Sequence, residues 1–437
     1  MLLKETIQDN YFQGYAYSYP HKSAYRQLSP ARSLDDIWAA EKKDSLFLYV
    51  HIPFCEMRCG FCNLFTIANP KSPTQSPYLD KLQQQATAVK SAIGEQAKFA
   101  RVAIGGGTPS YLSVPDLEQL FTIVNSTMGA VTQAVPTSVE SSPKTLTTEK
   151  LALLKQYGTT RMSIGVQSFL LEETKALGRP QKTVEVQHAL QLIKDSGIPE
   201  MNIDLIYGMA GQTTQTWQYS LDQSIAFEPE EIFLYPLYVR PLTGLGLQER
   251  AWNDHRLQLY RFGRDYLCAN GYEQITMRIF RRKSAPQMPA TPYDGPTDGM
   301  VGLGVGARSY TSGFHYSSEY AVGKKGVKEI IHSYNEQQNF SQIDYGVTLP
   351  VIEQQRRFVI KSLLEGGALD FAAYGNTFGS HVLQDLPELR ELYSLGLVAD
   401  NTAKIQLNKQ GLELSDVIGP WLYSSNVQEM MKKYDLA

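Results

Sequence analysis

Apolar positions in this chain alternate between short continuous runs and longer segments with apolar residues at helical spacing. Leu46-Phe47-Leu48-Tyr49-Val50 is one such run, and a run of this length predicts a buried strand. Tyr78 to Ile93 carries leucines and alanines at helical spacing, with Gly94 as its stop. The rhythm then repeats. Arg101–Ile104 predicts a strand, and Val114–Ser126 a helix with Ser113 as N-cap and Pro115 in its first turn. Thr137–Glu140 predicts a strand followed by a helix around Leu151. Arg161–Gln167 predicts another, followed by Gly178-Arg179-Pro180 and a helix to Asp195. Met201–Gly208 and Glu231–Leu237 complete six strands. Strands alternating with helices predict parallel β/α units, whose chemistry gathers at the strand C-termini.

The flanks follow other patterns. Residues 1–45 hold Tyr15-Ala16-Tyr17-Ser18-Tyr19-Pro20, with no clean period. The stretch reads as an extended arm packed on the barrel, its tyrosines covering apolar surface, or as an arm that closes over the active site. Asp254–Ala269 predicts a helix with Cys268 as buried packing near its end, and Tyr272–Phe280 alternates like a strand. A Pro-rich loop spans 285–296. Helices over Ile352–Glu365, Asp370–Phe378 and Leu386–Leu395, stopped by Gly379 and Gly396, precede a hairpin over Val398–Leu407. That order suggests a small winged-helix-like α+β domain. Its Lys and Arg are not concentrated on one recognition helix, so it reads as a lid or docking surface. The expected division is an arm (1–45), a barrel core (46–250), a barrel-completing region (251–345) and a C-terminal domain (346–437).

Composition narrows the classes. The 437 residues are 43% apolar and 19% charged, which is ordinary for a globular protein. A net charge of −3 gives no global electrostatic case for nucleic-acid binding. No apolar run reaches the length of a membrane span, and Met1–Thr6 lacks the basic start and apolar core of a signal peptide, so a cytoplasmic protein is expected. The 26 tyrosines are many, and a flat aromatic ligand would use them.

The candidate chemistry lies just after the first strand. Cys55, Cys59 and Cys62, three of the four cysteines, stand in a CxxxCxxC loop. Thiolates suit zinc or iron–sulfur clusters. Structural zinc takes four protein ligands, and only His51 stands near as a fourth. Four cysteines in a chain of this size do not make a disulfide framework. Three ligands can hold three irons of a [4Fe–4S] cube and leave the fourth open to a small chelating molecule.

This spacing after a buried strand resembles the radical SAM superfamily. The resemblance implies a partial (β/α)6 TIM-like barrel, a [4Fe–4S] cluster on Cys55, Cys59 and Cys62, and S-adenosylmethionine chelated by the open iron, its reductive cleavage giving a 5′-deoxyadenosyl radical. Gly105-Gly106-Gly107-Thr108-Pro109 resembles the segment that binds the methionyl amino group in that superfamily. Glu140, Gln167, Arg179 and Asp204, in this order, resemble the oxygen-independent coproporphyrinogen III oxidase family, whose relatives include a haem chaperone and a porphyrin ring-opening methylase. There the counterparts contact S-adenosylmethionine, the aspartate through the ribose hydroxyls. Ile206 in Asn-Ile-Asp-Leu-Ile-Tyr-Gly belongs with them. The Gly302-Leu303-Gly304-Val305-Gly306-Ala307 stretch resembles a GxGxxA segment of the same family; it lacks the helix that a dinucleotide fingerprint requires. The C-terminal domain resembles that of the oxidases.

The branch is left open by particular residues. Oxidases of this type carry a further cysteine two residues after the third ligand, where this chain has Leu64, and they differ from Leu237-Tyr238-Val239-Arg240-Pro241. Ser18-Tyr19-Pro20 resembles their N-terminal segment, which the chaperone branch lacks. That branch has a histidine where this chain has Pro180-Gln181. The enzyme reading takes a tetrapyrrole substrate, with Tyr19 and Tyr49 as its neighbours and Arg240, Arg278, Arg281 and Arg282 as cationic partners for propionates. It also needs a reductase or flavodoxin as electron donor. The carrier reading takes haem, with His21, His51, His315 and His332 as candidate axial ligands. A third reading keeps the radical chemistry on a non-tetrapyrrole substrate.

Overall fold

The structure is a computed structural model and describes residues 2–68, 75–247, 254–287 and 291–434. Thirteen strands form one sheet. They are β1 (Arg26–Ser33), β2 (Leu46–Ile52), β3 (Phe99–Gly106), β4 (Thr137–Ser141), β5 (Arg161–Gln167), β6 (Glu200–Tyr207), β7 (Glu231–Pro236), β8 (Tyr272–Gln274), β9 (Ile279–Arg282), β10 (Met300–Leu303), β11 (Arg308–Tyr310), β12 (Phe314–Ser317) and β13 (Gln342–Thr348). Their spatial order is β1-β13-β12-β11-β10-β2-β3-β4-β5-β6-β7-β9-β8. From β10 across β2 to β7 every pairing is parallel. Both flanks are antiparallel.

The predicted β/α units are present. Helices α1 (Gln75–Ile93), α2 (Val114–Thr122), α3 (Thr148–Gln156), α4 (Thr183–Ser196), α5 (Thr214–Ile225) and α6 (Arg256–Ala269) lie between or after the parallel strands. Ser113, Thr147 and Thr213 cap α2, α3 and α5 by accepting backbone N–H groups with their hydroxyls. Alternation sorts the strand residues. On β2 the side chains of Leu46, Leu48, Val50 and Ile52 are buried in the main core with the helices, while Phe47, Tyr49 and His51 line a cavity on the other face. The same alternation points Glu140, Ser163, Asp204, Ile206 and Tyr235 into that cavity. Cys268 lies on α6, packed against the edge of the main core.

Three elements differ from expectation. Tyr272–Phe280 is two strands of a hairpin, because the Thr276 hydroxyl accepts the N–H groups of Arg278 and Ile279 and turns the chain. Over the expected Leu386–Leu395 helix the chain forms a 3-10 turn at Pro387–Leu389 and a short helix at Arg390–Ser394, with a separate helix over Val382–Asp385 before them. Val398 and Leu407 form only a single bridge, and the neighbouring Lys404–Ile405 pairs instead with Leu369–Asp370. The C-terminal residues form a helical cluster around that small sheet, with three further helices over Lys409–Glu413, Ser415–Trp421 and Ser425–Lys432.

The first 45 residues are more ordered than an extended arm. They contain a helix (Leu3–Asp9), β1 and a second short helix (Leu34–Trp38). Phe12 and Trp38 join the barrel core, whereas Leu3, Ala16, Tyr19 and Ala24 join the core of the C-terminal residues. The arm therefore links both cores, and its middle crosses the cavity.

Candidate active site

One cavity of about 1370 Å³ occupies the inside of the sheet. At one end lies the cysteine loop. The thiols are free; Cys55 and Cys59 are buried and Cys62 half-buried. Each sulfur has its own polar neighbour: Thr108 Oγ1 lies 3.6 Å from Cys55, Arg179 Nη1 3.2 Å from Cys59 and Thr66 Oγ1 3.9 Å from Cys62. Burial and the neighbouring sulfurs push the Cys55 thiol up to about 12. A metal centre would reverse that by binding the thiolate. A polynuclear iron–sulfur cluster takes one thiolate per iron, which separate sulfurs can provide.

The Gly105-Gly106-Gly107-Thr108 turn forms the floor beside the loop. A Cβ on Gly105 would stand 2.7 Å from the Glu140 carboxyl carbon, and one on Gly107 3.0 Å from Cys55 Sγ. Gly106 has φ +109°, and a Cβ there would meet the His51 ring at 2.6 Å. Glu140 Oε2 accepts the Gly106 N–H at 3.0 Å. Burial raises the Glu140 carboxyl to about 7 and that of Asp204 to about 6. Asp204 is held by Asn202 Nδ2 at 2.8 Å and the Ser163 hydroxyl at 3.2 Å. Gln167, with φ +68°, ends β5 at a break in register. Arg179 reaches from Cys59 to the Gly165 carbonyl at 2.9 Å. Ile206 and the half-buried Phe61 pack in a small apolar cluster beneath the loop with Leu237 and Leu245. The residues Cys55, Cys59, Cys62, Gly106, Gly107, Thr108, Glu140, Gln167, Arg179, Asp204 and Ile206 all line the one cavity, and Gly105 abuts Glu140 behind it.

His51 has a determined tautomer. Its Nε2 lies 2.9 Å from the Phe65 carbonyl, which can only accept, so Nδ1 accepts from the Tyr49 hydroxyl at 3.2 Å. Burial pushes its pKa down to about 4.

Much of the remaining lining is aromatic and cationic, with Tyr49, Arg240 and Arg278 among it. Arg278 is committed to a buried ion pair with Asp416 at 2.6 Å, and stacks its guanidinium over Tyr15. Several expected residues lie elsewhere. Tyr19 is buried in the C-terminal core, its hydroxyl bonded to Glu353 and accepting the Ser424 N–H, so it does not reach the cavity. Arg281 bridges Glu200 and Glu231, and Arg282 pairs with Glu230, at the N-terminal ends of β6 and β7. Of the histidines, His21 and His51 line the cavity. His315 is buried within β12 against Tyr310, and His332 is exposed on the Lys324–Glu336 helix. Leu64 lines the cavity rim.

Tyr15, Tyr17 and Lys22 of the arm, Tyr235 of β7 and Arg308 of β11 also line the cavity. Tyr15, Tyr17 and Lys22 belong to the tyrosine-rich arm that the sequence offered as one closing over the active site, whereas Tyr235 and Arg308 were not singled out. Tyr235 is two positions from Phe233 on a strand already recognised, so alternation was a usable signal. For Arg308 no local signal existed, because its placement depends on pairings remote in sequence.

The radical SAM superfamily model matches residues 49–223. The heme chaperone HemW of Bacillus subtilis is 26% identical over 390 residues, covering 86% of this chain and 98% of that protein. The oxygen-independent coproporphyrinogen III oxidase of Salmonella typhimurium is 27% identical over 428 residues, covering 91% of each. The solved structure of coproporphyrinogen III oxidase (HemN) from Escherichia coli superposes with a TM-score of 0.76 at 22% identity over 99% of both chains, a likeness of fold.

Proposed function

We propose that the chain, whose residues 49–223 match the radical SAM superfamily model, is a radical SAM enzyme that acts on a tetrapyrrole, as an oxygen-independent coproporphyrinogen III oxidase-like enzyme. Superfamily members use a [4Fe–4S] cluster and S-adenosylmethionine, and here Cys55, Cys59 and Cys62 would hold the cluster. The glycine turn, Glu140, Gln167, Arg179, Asp204 and Ile206 would hold the cosubstrate. When bound, the cluster and S-adenosylmethionine would together supply radical hydrogen-atom abstraction, which in the oxidase reading would serve oxidative decarboxylation of a propionate with an external electron acceptor.

The chain's own residues do the positioning. Asp204, fixed by Asn202 and Ser163, offers two oriented oxygens to a ribose diol. Glu140 sits beside a glycine floor with no Cβ to block a methionyl group. Arg179 keeps a positive charge against Cys59. Phe47, Phe61, Phe65 and Trp421 add apolar surface to the lining.

The observation that carries the reading is the continuity of the cavity. A single volume of about 1370 Å³ joins the cofactor end to a wall of tyrosines and cations, larger than the roughly 300–1,000 Å³ of an ordinary small-molecule site. It suits a cosubstrate and a large flat second ligand together. The protein would work in the cytoplasm with a flavodoxin or reductase as electron donor. The second reading, haem handling by a carrier or ring-opening enzyme, is favoured by His21 on the cavity wall, whose Nδ1 meets Ser23 while His51 has both ring nitrogens engaged. Burial holds the His21 imidazole neutral, at about 3, as axial ligation requires.

The test is anaerobic incubation of the reconstituted protein with S-adenosylmethionine, a strong reductant and, in separate tubes, coproporphyrinogen III or haem. Substrate-dependent 5′-deoxyadenosine with loss of carboxyl mass supports the oxidase. A methylated or opened ring supports the haem-degrading branch. Tight haem binding without turnover supports the carrier, and 5′-deoxyadenosine with no tetrapyrrole change removes the tetrapyrrole.

A further inference from the structure

Some charged groups of the cavity have partners: Arg278 has Asp416, Lys361 has Glu365, and Arg179 has Cys59 and a carbonyl. Other cations of the lining, Arg101 and Lys432 among them, have no ion pair among the described residues, and three of these stand out because they influence one another. Lys22 comes from the arm, Arg240 from the segment after β7 and Arg308 from β11. Among the described residues none of the three has a carboxylate within ion-pair distance.

Their heads are instead held by aromatic faces and hydroxyls. Lys22 Nζ lies 3.4 Å from the centre of the Tyr320 ring, and the Arg240 guanidinium 4.6 Å from that of Tyr238. The Arg308 guanidinium lies 4.7 Å from the centre of the Tyr17 ring, and its Nη1 donates to the hydroxyls of Tyr17 at 3.3 Å and Ser18 at 3.1 Å. All three are half-buried. The charges also feel one another. Burial first, then Arg308 and Arg240, pull the Lys22 ammonium down to about 8 even though Tyr17 and Cys62 act the other way. A solvated cationic face would let its heads turn outward into water. This one brings three like charges from three distant parts of the chain to one wall, where they repel each other and lose hydration.

We propose that Lys22, Arg240 and Arg308 form an anion site that grips carboxylate groups of the substrate and sets which edge of it faces the cysteine loop. An anionic ligand supplies the missing countercharge, and planar guanidiniums match carboxylates in geometry. Tyr17 and Ser18 are positioning residues: they aim Arg308 and are themselves aimed by the arm. The cavity then carries both signs: Glu140 and Asp204 suit hydroxyls and an ammonium, and Lys22, Arg240 and Arg308 suit a polycarboxylate. The proposal rests on the tetrapyrrole reading for the body that bears the carboxylates, and on the three cations alone for the anion.

The test uses the reconstituted protein with coproporphyrin III, a tetracarboxylate, and its tetramethyl ester, titrated by fluorescence. Wild type should prefer the acid. Lys22→Gln, Arg240→Gln and Arg308→Gln should each weaken the acid by about 10- to 100-fold and leave the ester unchanged, while Arg308→Lys should retain part of the preference. Cluster absorbance and circular dichroism identify any variant that fails to fold, and the remaining substitutions then decide. Variants that bind the acid as wild type does would overturn the proposal. If neither porphyrin binds wild type, the tetrapyrrole reading fails, and thermal shift with tricarballylate judges the anion site by itself. Stabilisation of wild type but not of the Gln variants keeps it, and equal stabilisation removes it.

Discussion

Arg179 spans two elements that the cluster loop depends on: its Nη1 lies 3.2 Å from Cys59 Sγ while its Nη2 donates to the Gly165 carbonyl at 2.9 Å. The guanidinium is thus fixed by β5 and cannot follow the loop. A fixed positive charge beside a ligating sulfur favours the more negative, reduced state of a cluster. Arg179→Gln should therefore assemble a cluster of normal iron content whose reduction potential is lower by some tens of millivolts, taking about 59 mV per tenfold change in a one-electron equilibrium. A redox titration followed by electron paramagnetic resonance measures it.

The cysteines divide cleanly. Replacing Cys55, Cys59 or Cys62 by Ser should abolish cluster absorbance and S-adenosylmethionine cleavage, and chelation of iron from wild type should do the same. Cys268→Ser should keep both, because Cys268 lies on α6 outside the cavity lining. Iron and sulfide analysis with 5′-deoxyadenosine chromatography distinguishes the two classes.

Gly106→Ala places a methyl group against the His51 ring at a φ of +109°. Strain of about 1–3 kcal/mol is expected, with weakened S-adenosylmethionine binding because the glycine floor would lift. Thermal melts and isothermal titration together separate the stability loss from the binding loss.

Glu140 sets a pH dependence. Burial raises its carboxyl to about 7, with Gly106 N–H acting the other way. A raised carboxyl makes the folded state bind protons more tightly than the unfolded one. Its contribution is therefore fully present below the ordinary carboxylate range and is lost as pH rises through about 7. The cofactor-free protein should lose stability from about pH 5 to about pH 8, by an amount reduced by the solvent that reaches the side chain in the cavity. Glu140→Gln should flatten that slope. Affinity for S-adenosylmethionine, whose ammonium needs the ionised carboxylate, should rise over the same interval in wild type and not in the variant.

The Arg278–Asp416 pair tests the join between barrel and C-terminal cluster. Their side chains are 5% and 1% exposed. Arg278→Met leaves Asp416 charged and buried and should cost about 3–5 kcal/mol. Adding Asp416→Asn should recover much of it. Urea denaturation of the single and double variants reads the difference.

The six predicted parallel strands were legible because each is apolar on one face and ends in a polar residue that the cavity uses, as Glu140, Gln167 and Asp204 do. What was not legible depends on remote pairing. β1 reads Arg-Gln-Leu-Ser-Pro-Ala-Arg-Ser, mostly exposed, with no alternation to mark it; its strand character comes from β13 at the sheet edge. Arg308 looks like one more charge after a glycine turn until β10 and β11 fold against each other. The hairpin at 272–282 was hidden by a side-chain hydroxyl, Thr276, that interrupts an otherwise regular alternation.

The edge pairing of β1 with β13 also orders events in time. Arg26 lies opposite Gly346, so partners some 320 positions apart must meet. During synthesis the cysteine loop leaves the ribosome long before Gly346 exists, and contacts of such separation form late. The arm that crosses the cavity therefore docks after the cysteine loop has been made, and Leu3, Ala16, Tyr19 and Ala24 within it wait longer still for the C-terminal core they pack into.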